Sequence, residues 1–185
     1  MKTINNYKRK KEPLQNRQLI LDAALEIASQ KGIDNMSLEA VAKKARLTKG
    51  GLVHHFPKKQ MLIDSLFSDR LQQFNQAFQQ QLAISSTPVL AFLRTVINEN
   101  PSPQQKRSLK VMMQAALNQE HYRAMFSQWY QENVLPDPKD CSPAQLILFL
   151  VADSILAAHV LGFYALTNEQ KQRILQFLET LDLAS

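Results

Sequence analysis

Apolar residues recur at three- and four-residue spacings along nearly the whole chain, and few runs alternate at period two, which predicts an all-α protein. Ile20, Ala23, Ala24, Ile27 and Ala28 form one stripe of a helix over residues 14–31, with Gly32 as its stop. Ser37 caps a second helix over residues 38–45, which buries Val41 and Ala42, and Glu39 in its first turn suits the helix dipole. Thr48 caps a short third helix that ends at Phe56, because Pro57 disfavours helical geometry at the residue before it. A fourth begins near Lys58, and its apolar positions Met61, Leu62, Leu66, Phe67, Leu71 and Phe74 run on into a Gln-rich stretch at residues 72–81.

Five further helices follow, over residues 88–98, 103–118, 121–134, 142–166 and 168–183. Pro101, Pro103, Pro136, Pro138 and Pro143 mark the breaks, and Thr167 or Asn168 caps the last. Residues 1–13 are polar, lack helical periodicity, carry Lys8-Arg9-Lys10-Lys11 and end at Pro13, so they read as a flexible basic arm. The organisation expected is therefore the arm, a compact module over residues 14–68, and a larger helical domain over residues 69–185.

The net charge of +6 is unevenly spread: residues 1–60 hold 13 Lys and Arg against 5 Asp and Glu, and the rest hold 9 against 11. A basic first third joined to a slightly acidic remainder points to a polyanion as the partner of the first module. The single cysteine, Cys141, cannot form a disulfide within the chain, and the charged N-terminus does not read as a secretory signal, so a cytoplasmic location is expected. Residues 146–166 are apolar enough to raise a membrane question, but Asp153 would be costly at a bilayer midplane, and the reading is a buried helix with no membrane partner.

The second and third helices, joined by Arg46-Leu47, have the spacing of a helix-turn-helix. Gly50 and Gly51 occupy the first turn of the third helix, where each costs about 1 kcal/mol relative to Ala in a helix interior. Without side chains there, backbone amides approach a phosphate or a base edge closely, and Lys49 adds a cation at the same end. Lys58 and Lys59 oppose the dipole of the next helix by about 0.3–1 kcal/mol, a mismatch that a DNA phosphate would relieve. His54 and His55 are adjacent and cannot form an i, i+4 metal pair; one is expected to face DNA. No catalytic constellation, metal-ligand spacing or cofactor loop is present in the sequence, so neither an enzyme nor a cofactor is expected.

Three segments, Ile20-Leu-Asp-Ala-Ala-Leu-Glu-Ile-Ala, Ser37-Leu-Glu-Ala-Val-Ala and Thr48-Lys-Gly-Gly-Leu-Val-His-His-Phe-Pro-Lys-Lys, resemble the TetR family of bacterial ligand-responsive transcriptional repressors. The resemblance covers residues 14–68. It implies a TetR-like fold, all-α, with an N-terminal three-helix helix-turn-helix domain and a C-terminal helical domain for ligand binding and dimerisation. It also implies a homodimer that binds double-stranded operator DNA and is released by a small-molecule inducer, with efflux control as a family-level expectation. By the resemblance, DNA contacts fall on Ser37, Thr48, Lys49, Gly50, Gly51, His55 and Lys59. Two positions depart from the family pattern: Arg46 stands where a turn glycine is usual, and Val53 where a phosphate-contacting tyrosine is usual.

The C-terminal half says less. Residues 146–166 are apolar on most faces, and Ile174, Leu175, Leu178 and Leu181 form a stripe, so both helices are expected at the dimer interface. A buried Asp153 needs a partner, either internal (Arg94, Arg107 or Lys110) or a ligand. The sharper expectation is a pocket in which Asp153 is joined by Phe92, Met112, Met113, Phe126, Trp129 and Tyr130, for an apolar or amphipathic inducer, a cationic one included. The alternative is a DNA-binding regulator or architectural protein with no ligand, favoured if that domain is solid.

Overall fold

A computed structural model describes residues 3–135, 137–162 and 164–182, without the side chains of residues 3–12, 138 and 182. The described residues form α-helices α1 (Thr3–Lys31), α2 (Leu38–Lys44), α3 (Lys49–His55), α4 (Lys59–Leu82), α5 (Pro88–Asn98), α6 (Pro103–Asn118), α7 (Glu120–Asn133), α8 (Pro143–Leu161) and α9 (Asn168–Asp182), with a 3-10 turn at Pro138–Asp140. The chain divides into two compact units, one ending at Arg70 and the other beginning at Leu71.

In the first unit the expected stripe of α1 is buried: Ile20, Ala23, Ala24, Ile27 and Ala28 join Val41, Ala42, Leu52, Phe56, Leu62, Leu66 and Phe67 in one core. Met61, expected among them, is exposed. The basic arm needs correction. Residues 3–13 belong to α1, which runs through Pro13, whereas Met1 and Lys2 lie outside the described residues. Proline costs one backbone donor in a helix but does not terminate it, and the Lys, Arg and Gln around it are good helix formers.

The link between α2 and α3 is closed by two hydrogen bonds, from Leu47 N–H to the Ala42 carbonyl at 2.9 Å and from Arg46 N–H to the Lys43 carbonyl at 3.2 Å. This is the Schellman end of a helix, and it needs a left-handed residue at the position Arg46 occupies; its φ is 58°. A side chain there costs about 1–2 kcal/mol, part of which glycine would forfeit in unfolded-state entropy. Arg46→Gly is therefore expected to raise the stability of this unit by about 0.5–1 kcal/mol, read as a shift of the urea midpoint at constant m-value.

In the second unit α5 packs chiefly on α8 and also on α9, and α6 packs on α7. Its core holds Phe78, Phe92, Leu93, Val96, Trp129, Leu148, Ala152, Ile155, Leu156, Leu175 and Leu178. The stripe on α9 thus faces its own core, with Ile174 and Leu181 packed against it, and is not left for a partner as expected. Helix α8 stops at Leu161, earlier than its apolar run suggests, because Gly162 takes a left-handed φ of 67° as its cap. Thr167 caps α9 and forms a reciprocal pair with Gln170, at 3.2 and 2.9 Å. Leu183, where the last helix was expected to end, lies outside the described residues.

Candidate nucleic-acid interface and the C-terminal unit

Both expected helix caps of the helix-turn-helix are formed. Ser37 Oγ accepts from Ala40 N–H at 3.2 Å, and Thr48 Oγ1 accepts from Gly51 N–H at 3.1 Å. Each hydroxyl keeps its own proton, so it can still donate to a phosphate oxygen. Thr48, Lys49 and Gly50 are exposed. A Cβ on Gly50 would meet nothing within 4 Å, whereas one on Gly51 would lie 3.2 Å from the capping hydroxyl of Thr48. Gly51 is thus explained by its own cap. Gly50 answers to no neighbour in the fold and leaves the start of α3 bare.

Charge around this bare turn is organised by an ion pair the sequence reading missed. Lys49 Nζ lies 2.5 Å from Glu39 on α2, and this hydrogen bond, with the lysine charge, holds the Glu39 carboxyl below its ordinary range. The pair is solvent-exposed, so a phosphate can exchange for the carboxylate at little cost. The Glu39–Lys49 spacing of ten residues across a turn carries no local signal in a sequence. His54 is exposed and His55 half-buried, their rings edge to face with centroids 5.7 Å apart.

Lys58 is exposed at the start of α4. Lys59 has an internal partner: its ammonium donates to the Asp34 carbonyl at 2.8 Å. This corrects the view that a phosphate is needed to satisfy both lysines, since backbone ahead of α2 already accepts from one of them. Behind the interface, Arg17 bridges to Asp69 at 3.2 Å and lies 5.7 Å from the Phe56 ring centroid, tying α1, α4 and the end of α3 together.

The C-terminal pocket expected from the sequence is not assembled as drawn. Phe92 and Trp129 are buried, and with Phe74, Phe78, Tyr130 and Phe149 they pack ring against ring at centroid separations of 5.4–6.4 Å. Met113 packs against this cluster, and Met112 is buried. Asp153, expected buried, is exposed, and it accepts from Tyr130 Oη at 3.2 Å. Burial, and then the Asp153 charge, push the Tyr130 phenol well above its ordinary range, so it stays a neutral donor. Arg94, one of the partners expected for Asp153, is committed to Glu179 at 2.8 Å. An exposed, hydrogen-bonded carboxylate provides no buried counter-charge for a cation.

A cavity does exist elsewhere in this unit. It has a volume of about 280 Å³ and lies between the end of α5, the start of α6, the end of α8 and the start of α9. None of the residues expected to bind ligand lines it. Among the described residues, no group of three or more His, Cys, Asp or Glu side chains is placed to hold a metal ion.

Comparison with known proteins places these features. Residues 20–66 match the family model described as bacterial regulatory proteins, tetR family, and residues 86–182 match that of a tetracyclin repressor-like C-terminal domain. The chain is 29% identical over 111 residues to the uncharacterized HTH-type transcriptional regulator TtgW of Pseudomonas putida, an alignment covering 58% of this chain and 80% of the relative. Over 60 residues it is 40% identical to the HTH-type transcriptional regulator AcrR of Shigella flexneri, covering 32% of this chain and 28% of AcrR. The crystal structure of NalD, the secondary repressor of the MexAB-OprM multidrug efflux pump in Pseudomonas aeruginosa, shares the fold, with a TM-score of 0.61 at 19% identity over 92% of this chain and 95% of NalD.

Proposed function

Because this chain belongs to the tetR family of bacterial regulatory proteins, we propose that it is a cytoplasmic, homodimeric repressor that holds operator DNA and lets go when a small molecule binds its C-terminal unit. The observation carrying the DNA half of this reading is the bare start of α3: an exposed Gly50 with open space around it, beside Thr48 and Lys49. Local stability argues against glycine there, and close approach of a groove argues for it. Ser37, Thr48, Lys49, Gly50, Gly51, His54, His55, Lys58 and Lys59 are the contact residues of this reading, with the ammonium of Lys59 shared with the Asp34 carbonyl. Arg46 and the Lys49–Glu39 pair adjust the motif rather than disrupt it.

A dimer is supported by what the fold leaves uncovered. Helix α8 is long and apolar enough to cross a membrane by length and composition, yet only 28% of its most apolar window is buried in one copy. Ile147, Leu150 and Leu161 on α8 and Phe177 on α9 stay exposed. A second copy would cover them and set two α3 helices about 34 Å apart, one turn of the DNA duplex. The cavity in the second unit supports ligand control over the reading in which that unit is solid. An efflux gene as the target is suggested by NalD, the fold neighbour described as a repressor of a multidrug efflux pump.

The test is a selection of bound fragments from random DNA, followed by fluorescence anisotropy on the recovered sequence. The expected result is a palindrome, with affinity falling about three to five orders of magnitude between 50 and 200 mM salt for six to ten phosphate contacts. A flat salt profile, or no enriched sequence, would overturn the reading.

A further inference from the structure

The cavity at the far end of α8 has an unusual polar wall. Lys171, on the first turns of α9, is 6% exposed, and its ammonium lies 3.2 Å from His159 Nε2. A protonated lysine can only donate, so Nε2 accepts and the neutral ring carries its proton on Nδ1. That Nδ1 is buried and has no hydrogen-bond partner. A buried ammonium held by a neutral acceptor costs free energy that a bound anionic acceptor would recover. Lys106 lines the same cavity and adds a second positive charge.

The sign of the field is consistent across the elements that meet there. Burial, then the charge of Lys106, lower the Lys171 pKa; burial, then the charge of Lys171, lower that of His159. Glu99, at the end of α5, opposes both shifts, so one carboxylate stands against two lysines. The other wall is apolar: Pro101, Ile155, Ala158 and Leu166. At about 280 Å³ the space is just below the usual range for ligand pockets, roughly 300–1,000 Å³, so only a small ligand fits.

We propose that this cavity binds a small organic carboxylate, with its carboxylate on the Lys171 ammonium and its hydrocarbon part against Ile155, Ala158 and Leu166. The assignment rests on the reading of the chain as ligand-responsive and replaces the cationic inducer suggested by Asp153 with an anionic one. A monocarboxylate fits better than a phosphate, because the surplus is a single positive charge and half the wall is apolar. The ammonium comes from α9 and much of the apolar wall from α8, the helices whose outer faces carry the exposed apolar side chains, so a bound carboxylate would bridge the end of one helix and the start of the other.

The experiment uses the full chain with benzoate, phenylacetate and hexanoate, their neutral amides, and inorganic phosphate. Binding is read by calorimetry and by thermal shift. The expected result is that at least one acid binds and raises Tm, that its amide and phosphate do not, and that Lys171→Met weakens the acid at least about tenfold, the cost of a lost charge-assisted hydrogen bond. Lys106→Met, at an exposed position on the rim, should weaken the same acid more mildly and serves if Lys171→Met does not fold. The proposal is overturned if no acid binds at millimolar concentration, if amide and acid bind alike, if phosphate alone binds, or if the folded variants bind the acid as the parent does. Release of DNA is scored separately: an acid that binds yet leaves the DNA complex intact supports the site and counts against ligand-controlled release.

Discussion

Replacing Leu150 and Phe177 together with glutamate is expected to give a folded monomer whose affinity for a two-half-site operator is about 10²–10⁴-fold lower than that of the parent. Both side chains are 64% exposed in a single copy, so charge there leaves the core of the second unit untouched. Covering a leucine or phenylalanine side chain is worth about 1.5–3 kcal/mol, and a dimer covers each position twice. Glutamate removes that gain and adds an unpaired carboxylate to a dry interface, at a further cost of several kcal/mol. Loss of the dimer then costs the second half-site, whose contribution depends on the two α3 helices being joined. Sedimentation should report a monomer with an unchanged helical circular dichroism spectrum. A variant that remains dimeric would show that α8 and α9 do not supply the interface.

A different kind of loss is expected for Gly50→Leu, where stability and DNA binding should part company. The position is exposed with nothing within 4 Å of a Cβ, so the side chain is accommodated without a clash. Leucine is also favoured over glycine in a helix by roughly 0.5–1 kcal/mol, so Tm should hold or rise slightly. At the DNA surface the same side chain separates the start of α3 from the groove, and operator affinity should fall at least about 100-fold, equivalent to roughly 2.7 kcal/mol. The measurements are thermal unfolding and anisotropy on the same sample. Wild-type affinity in this variant would mean that the bare turn is not where the duplex comes close.

The helix-turn-helix was legible in the sequence to the level of single atoms in places. Ser37 and Thr48 cap the helices they were expected to cap, because a cap is decided within four residues by a hydroxyl and the amides it can reach. Arg46 was marked only as a departure from the family's turn glycine; the structure keeps the left-handed turn there, because a short link between two helices permits few backbone conformations. The Glu39–Lys49 pair and the Lys59–Asp34 contact were not legible, since each joins side chains or backbone brought together only when the helices cross.

The C-terminal unit shows the limit more sharply. Asp153 lies on a helix so uniformly apolar that its sequence does not mark which face turns inward, and the packing of α5 and α9 decided that the aspartate turns out. Lys171 misled in the opposite sense. It sits among Glu169, Gln170, Gln172 and Arg173, as a surface lysine would, yet the end of α8 closes over it.

What the sequence by itself determined was everything governed by the helical repeat and by groups within a turn of each other: the all-α class, most helix limits, the caps and the bare start of α3. What only the tertiary structure decided was which faces meet, and with them the aromatic cluster, the outward aspartate, the buried lysine and the cavity. The reason is range. Backbone hydrogen bonds and caps act over three or four residues and are written locally, whereas burial and ion pairing depend on distances set by packing between segments far apart in the chain.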